Sequence, residues 1–172
     1  MQNLEIKHRI DDPGAIRARL AGVPEVAPQW RRRQEDIYFH APDRRIKIRI
    51  EDGGGAARID YRRGDRAEAR ISDYTLTPLD DPHAAVADLT ARHGLRGRVV
   101  KTRELLRFRN VRIHLDEVDG LGHFLEFESV IAEGITPDAA ADNLAHISAA
   151  LADLLGTPLA VGYADLLLSK DD

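Results

Sequence analysis

The sequence predicts an α+β fold: one antiparallel sheet of about eight strands, strongly curved or closed, with helices packed outside it. Three observations predict this. Segments of period-two alternation recur along the whole chain, and RRIKIRIE at 44–51 is the clearest of them. Turn signals, not crossover helices, separate most of them, so antiparallel connections dominate. The few helical segments are too irregularly spaced for a doubly wound sheet and need an apolar sheet face to pack on.

Taken in order, NLEIKHRI at 3–10 closes a first strand from about Gln2 to Ile10. It sends Leu4, Ile6 and Ile10 to one face and Asn3, Glu5, Lys7 and Arg9 to the other. Asp11, Asp12 and Pro13 start a short helix that carries Ile16 and Leu20 inward and stops near Gly22. Residues 26–40 read as extended, and Ala41 to Asp43 as a turn. The next strand places Ile46, Ile48 and Ile50 opposite Arg45, Lys47 and Arg49. Gly53 to Gly55 make a hairpin connection, followed by a strand at about 57–63 with Arg58, Asp60 and Arg62 on one face. After the loop GDRAEA at 64–69 a strand is expected at 71–77, then a helix from Asp81 or Pro82 to His93, ended by Gly94. Strands follow at roughly 98–108, 111–118 and 123–130. Thr136-Pro137 caps a longer helix with Leu144, Ile147, Leu151 and Leu154 at helical spacing, and Tyr163 to Leu168 form a last apolar turn. There is no internal repeat, low-complexity tract or linker, so residues 1–172 read as one domain.

Composition narrows the class. Apolar residues at 43% and charged residues at 31% describe a globular chain with a real core, not a disordered one. The absence of cysteine excludes disulfides, thiolate ligands and thiol nucleophiles. No bilayer-length apolar run or signal-peptide order is present, so a soluble, cytoplasmic protein is expected. A net charge of −4 argues against a dedicated nucleic-acid binder. The basic residues nonetheless concentrate in the strand segments, which suggests a confined cationic site for a small anion.

Alternating charge on one strand needs no site, because antiparallel sheets commonly keep one face wet. Here, however, like charges are neighbours on single faces: Lys47 with Arg49, Lys101 with Arg103, and Arg58 with Arg62. Such pairs repel unless an anion lies between them. Carboxylates cluster elsewhere: Asp116 shares a face with Arg112 and His114, and Glu126 shares one with Glu128. If helices cover the Ile and Leu faces of a closed sheet, the charged faces must point inward. An inward ring of charge makes sense only around an ion or ligand. Carboxylate oxygens favour Mg2+ or Mn2+, and Arg and Lys pairs can clamp phosphate oxygens.

Other chemistries are poorly supported. No GxxxxGK[ST] or HExxH is present, Gly120 to Gly122 form a turn, and Ser72 and Ser129 lack a nucleophile elbow. The Arg31 to Arg33 run reads as a solvated edge, and Trp30 and Tyr38 as core or rim.

The combination of motifs resembles the CYTH family, the triphosphate tunnel metalloenzymes, and its class IV adenylyl cyclase-like branch in particular. The resemblance rests on NLEIK at 3–7, which matches the family's ExExK, and on DIYF at 36–39, KIR at 47–49 and KTR at 101–103. IHLDEVDGLG at 113–122, FLEFE at 124–128 and YADLL at 163–167 extend it along nearly the whole chain. It implies an eight-stranded antiparallel barrel forming a tunnel, with the substrate's triphosphate inside. By position, Glu5, Glu126 and Glu128 would ligate Mg2+ or Mn2+, with Asp116 as a further ligand or a residue orienting water or hydroxyl. Lys7, Lys47, Arg49, Lys101, Arg103 and Arg112 would bind phosphate, and so would Arg62, where the family often has a lysine. Lys7 and Asp116 are the implied catalytic residues, with Asp116 the candidate base.

Conversion of ATP to cyclic AMP and pyrophosphate is the leading expectation. A triphosphatase acting on thiamine triphosphate, inorganic triphosphate or a nucleotide is the alternative, and a non-catalytic polyphosphate-binding module a second one. A homodimer is plausible for this branch by resemblance. The first motif glutamate is replaced by Asn3, which can offer an oxygen but no charge.

Overall fold

The computed structural model describes residues 1–169 except 64 and 66, so those two positions of the expected GDRAEA loop lie outside the described residues. Its elements are β1 (Gln2–Ile10), α1 (Pro13–Ala21), β2 (Val26–Phe39), β3 (Arg45–Glu51), β4 (Gly55–Arg63) and β5 (Arg70–Leu79). They continue with α2 (Pro82–His93), β6 (Leu95–Phe108), β7 (Val111–Val118), β8 (Gly122–Ile131), α3 (Pro137–Ala149) and α4 (Tyr163–Leu168). The eight strands close into one antiparallel barrel in the order β1-β5-β4-β3-β2-β6-β7-β8. The expected fold class is therefore the observed one.

Closure turns the period-two pattern inside out relative to an ordinary core. The apolar faces point outward, beneath the helices. Ile16 and Leu20 of α1 and Leu144 and Ile147 of α3 pack on Phe108, Val111, Ile113, Leu115, Leu125 and Phe127. Leu89 of α2 covers Ile37, Phe39, Ile46 and Ile48. Asp12, Asp81 and Thr136 start the three longer helices, each side chain accepting a hydrogen bond from the backbone N–H three residues on, with proline in the first turn.

The seam between β1 and β5 is short, pairing only Gln2 to Glu5 with Arg70 to Asp73. Beyond it, the chain after α3 takes over the free edge of β1. Gly156 N–H donates to Arg9 O (2.9 Å) and Leu159 N–H to Lys7 O (2.8 Å). A Cβ at Gly156 would meet Arg9 O at 2.5 Å, so this close approach requires glycine. The same return explains why α3 stops at Ala149 although the apolar spacing runs on to Leu154. The backbone tightens, with Leu151 N–H bonding Ser148 O (3.1 Å) and Leu154 N–H bonding Leu151 O (2.8 Å), and turns back toward β1. That path delivers Tyr163, at the start of α4, to one end of the barrel. There it packs with Tyr38, Val99, Val118, Leu121 and Phe124.

Candidate active site

The lumen holds a cavity of about 320 Å³ walled by the inward residues of the strands. Asn3, Glu5 and Lys7 of β1 are all buried and all line it, so the charged face of the first strand is a wall and not a wet surface. Arg9 continues the same alternation but leaves the lumen. It is exposed, donates to Leu121 O (2.9 Å) and covers the Phe124 ring.

Two buried aspartates organise the cationic side. Asp36 on β2 lies directly opposite Arg49 on β3 and accepts from its Nε (2.7 Å) and Nη2 (2.8 Å), and from Lys47 Nζ (2.9 Å). Asp116 on β7 lies opposite Arg103 on β6 and accepts from its Nε (2.7 Å) and Nη2 (2.6 Å), and from Lys101 Nζ (3.3 Å). The Tyr163 hydroxyl donates to Asp116 as well (2.9 Å), while Lys7 and Lys101 lie over its ring at 4.0 and 5.1 Å. Four cations from two strands, β3 and β6, are thereby held together although they repel, each pair pinned from behind by a carboxylate.

The electrostatics follow from this packing. Burial alone would raise Asp36, but Arg49, Lys47 and Lys101 hold it well below the usual carboxylate range. Burial also opposes ionisation of Asp116, which Arg103 and Lys101 likewise hold far below that range. Burial, together with Arg103, pulls Lys101 down to about 7; burial and Arg49 pull Lys47 down to about 8. Burial, Asp116 and Glu126 push the Tyr163 hydroxyl well up.

The adjoining strands β7 and β8 carry the acidic part of the wall. Glu126 on β8 accepts from Lys7 (3.0 Å) and Arg103 (3.0 Å), and its neighbour across the ladder is His114, whose Nδ1 lies 3.5 Å away. Glu128 faces the same imidazole at 3.8 Å and Arg112 at 3.4 Å. Burial outweighs both carboxylates in lowering the His114 pKa, so its ring stays neutral and able to ligate. One ligand atom each from His114, Glu126 and Glu128 falls within 4.8 Å of the others. This carboxylate and imidazole set fits a divalent cation. Asn3 adds a buried amide oxygen on the same cavity that has no hydrogen-bond partner among the described residues.

Of the residues expected at the site, the structure brings Glu5, Lys7, Lys47, Arg49, Lys101, Arg103, Arg112, Glu126 and Glu128 to one cavity. Arg62 is not among them. On β4 it is Ile59 and Tyr61 that face the lumen, while Arg62 is on the exposed outer face and pairs with Asp43 at 3.2 Å. Arg58 is also outside, with Asp60 as its partner (2.7 Å), so the third like-charge pair binds no common anion in the lumen. Asp116 is wholly buried behind Arg103, a place that suits positioning better than proton transfer.

Sequence reasoning gave no role to Asp36, Arg70, His114 or Tyr163. Three of them stand in motifs already quoted, DIYF, IHLDEVDGLG and YADLL, and the inward parity of Asp36 and His114 was a usable signal. Arg70 carried no signal, because its partner Glu5 is 65 residues away.

A closed barrel with buried cation pairs and an acidic, imidazole-bearing ligand cluster around one lumen defines a triphosphate tunnel protein. The CYTH domain profile matches residues 1–154, and the chain belongs to that family. A Methanocaldococcus jannaschii protein provisionally named an adenylate cyclase is 26% identical over 162 residues, covering 88% of this chain and 90% of its own. A solved Pyrococcus horikoshii structure superposes with a TM-score of 0.80 at 20% identity, covering 95% of this chain and 98% of the other. A Vibrio parahaemolyticus structure, also provisionally named an adenylate cyclase, gives 0.74 at 19% identity, covering 96% and 97%. Among the described residues, no helix is long and apolar enough to cross a membrane.

Proposed function

We propose that this protein is a divalent-metal-dependent enzyme acting on a triphosphate, and that its reaction converts ATP to cyclic AMP and pyrophosphate. One observation carries the reading: Lys47, Arg49, Lys101 and Arg103 project into the same cavity as the His114, Glu126 and Glu128 ligand cluster. Anchored cations of this kind bind phosphate oxygens and receive the charge that shifts during phosphoryl transfer without reorganising. A cation held by Glu126, Glu128 and His114 would supply Lewis acidity to the phosphate oxygens.

The cavity lining also supports a nucleoside substrate. Trp30, Ile59, Leu76 and Leu105 line the same cavity, an apolar wall suited to a base, for which inorganic triphosphate has no use. The provisional cyclase name of the 26% identical relative supports the same assignment. In that reaction the 3′-oxygen forms a bond to the α-phosphorus, its proton passes to solvent water, and the bond from the α-phosphorus to the bridging oxygen breaks. Arg49, Arg103 and the two lysines hold the departing pyrophosphate. Asp116, engaged by Arg103, Lys101 and Tyr163, keeps those cations in place and is a poor acceptor for the 3′-hydroxyl proton.

The test is incubation with Mn2+ and, separately, ATP, thiamine triphosphate and inorganic triphosphate, with products resolved by chromatography. Cyclic AMP with pyrophosphate is the expected result. Orthophosphate from any of the three would replace the cyclase by a hydrolase, and binding without turnover would leave a polyphosphate-binding module.

A further inference from the structure

Beyond its cations the lumen changes character toward one end. The inward residues of β3 run Lys47, Arg49 and then Glu51, and those of β6 run Lys101, Arg103 and then Leu105. β2 lies between these two strands and runs against both, and its inward residues at that end are Gln34, Arg32 and Trp30. A β-bulge precedes Trp30: Pro28 to Trp30 is two residues on β2 but one step on β6, from Leu106 to Leu105. Leu106 packs in the core outside the barrel, whereas Leu105 and Trp30 stand opposite each other in the ladder and both line the cavity.

Glu51 is held in place at this end. Its Oε1 accepts from Gln34 Nε2 (2.5 Å) and its Oε2 from Arg32 Nη1 (3.0 Å). Arg32 in turn lies over the Trp30 indole, with Cζ 4.7 Å from the ring centroid. A Cβ at Gly54 would run into Glu51 Oε2 and Arg32 Nη1, so the β3–β4 hairpin packs its backbone directly on this ion pair. Gln34 Oε1 is buried on the same inward face and has no hydrogen-bond partner among the described residues. Each oxygen of the Glu51 carboxylate keeps a second lone pair for a ligand. Such a group repels phosphate but accepts hydrogen bonds from N–H donors. An indole backed by a guanidinium offers a stacking surface to an aromatic ring.

We propose that this end of the cavity is a nucleobase subsite, in which the base stacks on Trp30 and an exocyclic amine, such as that of adenine, donates to Glu51. Arg32 and Gln34 are positioning residues that fix the carboxylate and the indole. The inference rests on the reading of the cavity as a nucleoside triphosphate site, and it gives Glu51 the choice of base, which the cations cannot make.

Trp30 is the one tryptophan of the sequence, so intrinsic fluorescence of the full chain reports on this subsite. Stopped-flow mixing with Mn2+ present reads binding before turnover. ATP should quench the emission, and inorganic triphosphate should compete with ATP without quenching. Equal quenching by the two would overturn the stacking. Purine riboside triphosphate, which lacks only the exocyclic amine, should quench but bind at least about tenfold more weakly than ATP, as loss of a hydrogen bond to a charged group does. Affinities within about twofold would overturn the role of Glu51. This comparison needs no variant. Glu51→Ala should bring the two nucleotides to within about twofold of each other and should not weaken inorganic triphosphate. A parallel loss of all three ligands would make Glu51 a structural residue and overturn the assignment. Trp30→Leu, followed by calorimetry, should weaken ATP at least about fivefold and inorganic triphosphate no more than about twofold, and equal losses would overturn the stacking. A base preference without cyclic AMP would sustain this proposal while the cyclase reading fails. Cyclic AMP formation with no preference between ATP and purine riboside triphosphate would do the converse.

Discussion

Arg103 and Asp116 face each other across adjacent strands, joined by two parallel hydrogen bonds of 2.7 and 2.6 Å around a wholly buried carboxylate. Arg49 and Asp36 repeat the arrangement on β3 and β2. The tunnel's cationic wall exists because these two aspartates, invisible to a ligand in front of them, compensate charges that would otherwise force the barrel apart. The four cations remain turned toward the lumen, where, on the proposed reading, a bound triphosphate would complete their neutralisation.

Removing such an anchor should be felt in stability before chemistry. Asp116→Ala leaves Arg103 and Lys101 buried without their shared carboxylate, and a loss of roughly 3–5 kcal/mol is expected. Urea denaturation of the variant and the parent measures it. A loss below about 1 kcal/mol, the scale of an exposed ion pair, would mean that the carboxylate is not anchoring the wall.

Ligand binding should take up protons. Burial and neighbouring arginines pull Lys101 and Lys47 down to about 7 and about 8, so both are partly neutral in the empty protein between pH 7 and 9. A polyanion favours their charged forms, and triphosphate affinity should therefore fall as pH rises through that window. Calorimetry in two buffers of different ionisation enthalpy reads the proton uptake directly. The stability of the empty protein should move the other way. Across this window the unfolded chain holds more lysine protons than the folded one, so these two groups make the fold more stable as pH rises from about 7 toward the ordinary lysine value of about 10.4.

The two sides of the barrel wall should separate cleanly by mutation. Arg49→Met removes a charge-assisted phosphate contact worth about 1.5–3 kcal/mol, so kcat/KM should fall roughly 10- to 100-fold. Arg62→Ala, on the exposed outer face with Asp43, should change kcat/KM by no more than about twofold. Equal losses in the two variants would place Arg62 in contact with substrate after all.

Tyr163 should matter both as a plug and as a donor. Tyr163→Phe removes only the bond to Asp116 and should cost about 1 kcal/mol, keeping the ring over Lys7 and Lys101. Tyr163→Ala also empties one end of the barrel and should cost about 3–5 kcal/mol. Thermal or urea melts of the two variants distinguish hydroxyl from ring.

Much of this was legible in the chain. The alternation of 44–51, the caps at Asp12, Asp81 and Thr136, and the apolar faces under the helices are local consequences of backbone geometry, and each appears where its residues imply. The paired cations Lys47 with Arg49 and Lys101 with Arg103, and the carboxylates Glu126 and Glu128, were likewise visible as charged faces, because residues two apart on a strand necessarily share a side.

Which side is inside was not a local matter. Period two defines two faces for every strand and says nothing about which one a closed sheet turns inward. On β3 and β6 it is the charged face; on β4 it is the face of Ile59 and Tyr61, and Arg62 is therefore outside. Only tertiary closure decided that, since it depends on which surfaces the helices cover. Closure also decided that Glu5 meets Arg70 across a seam 65 residues long in sequence, and that Tyr163, delivered by the return past Gly156, reaches Asp116. The sequence by itself determined a curved antiparallel sheet with charged and apolar faces. The register and closure of the barrel determined which charges meet, because ion pairs between distant strands are set by where backbones are held and not by spacing along the chain.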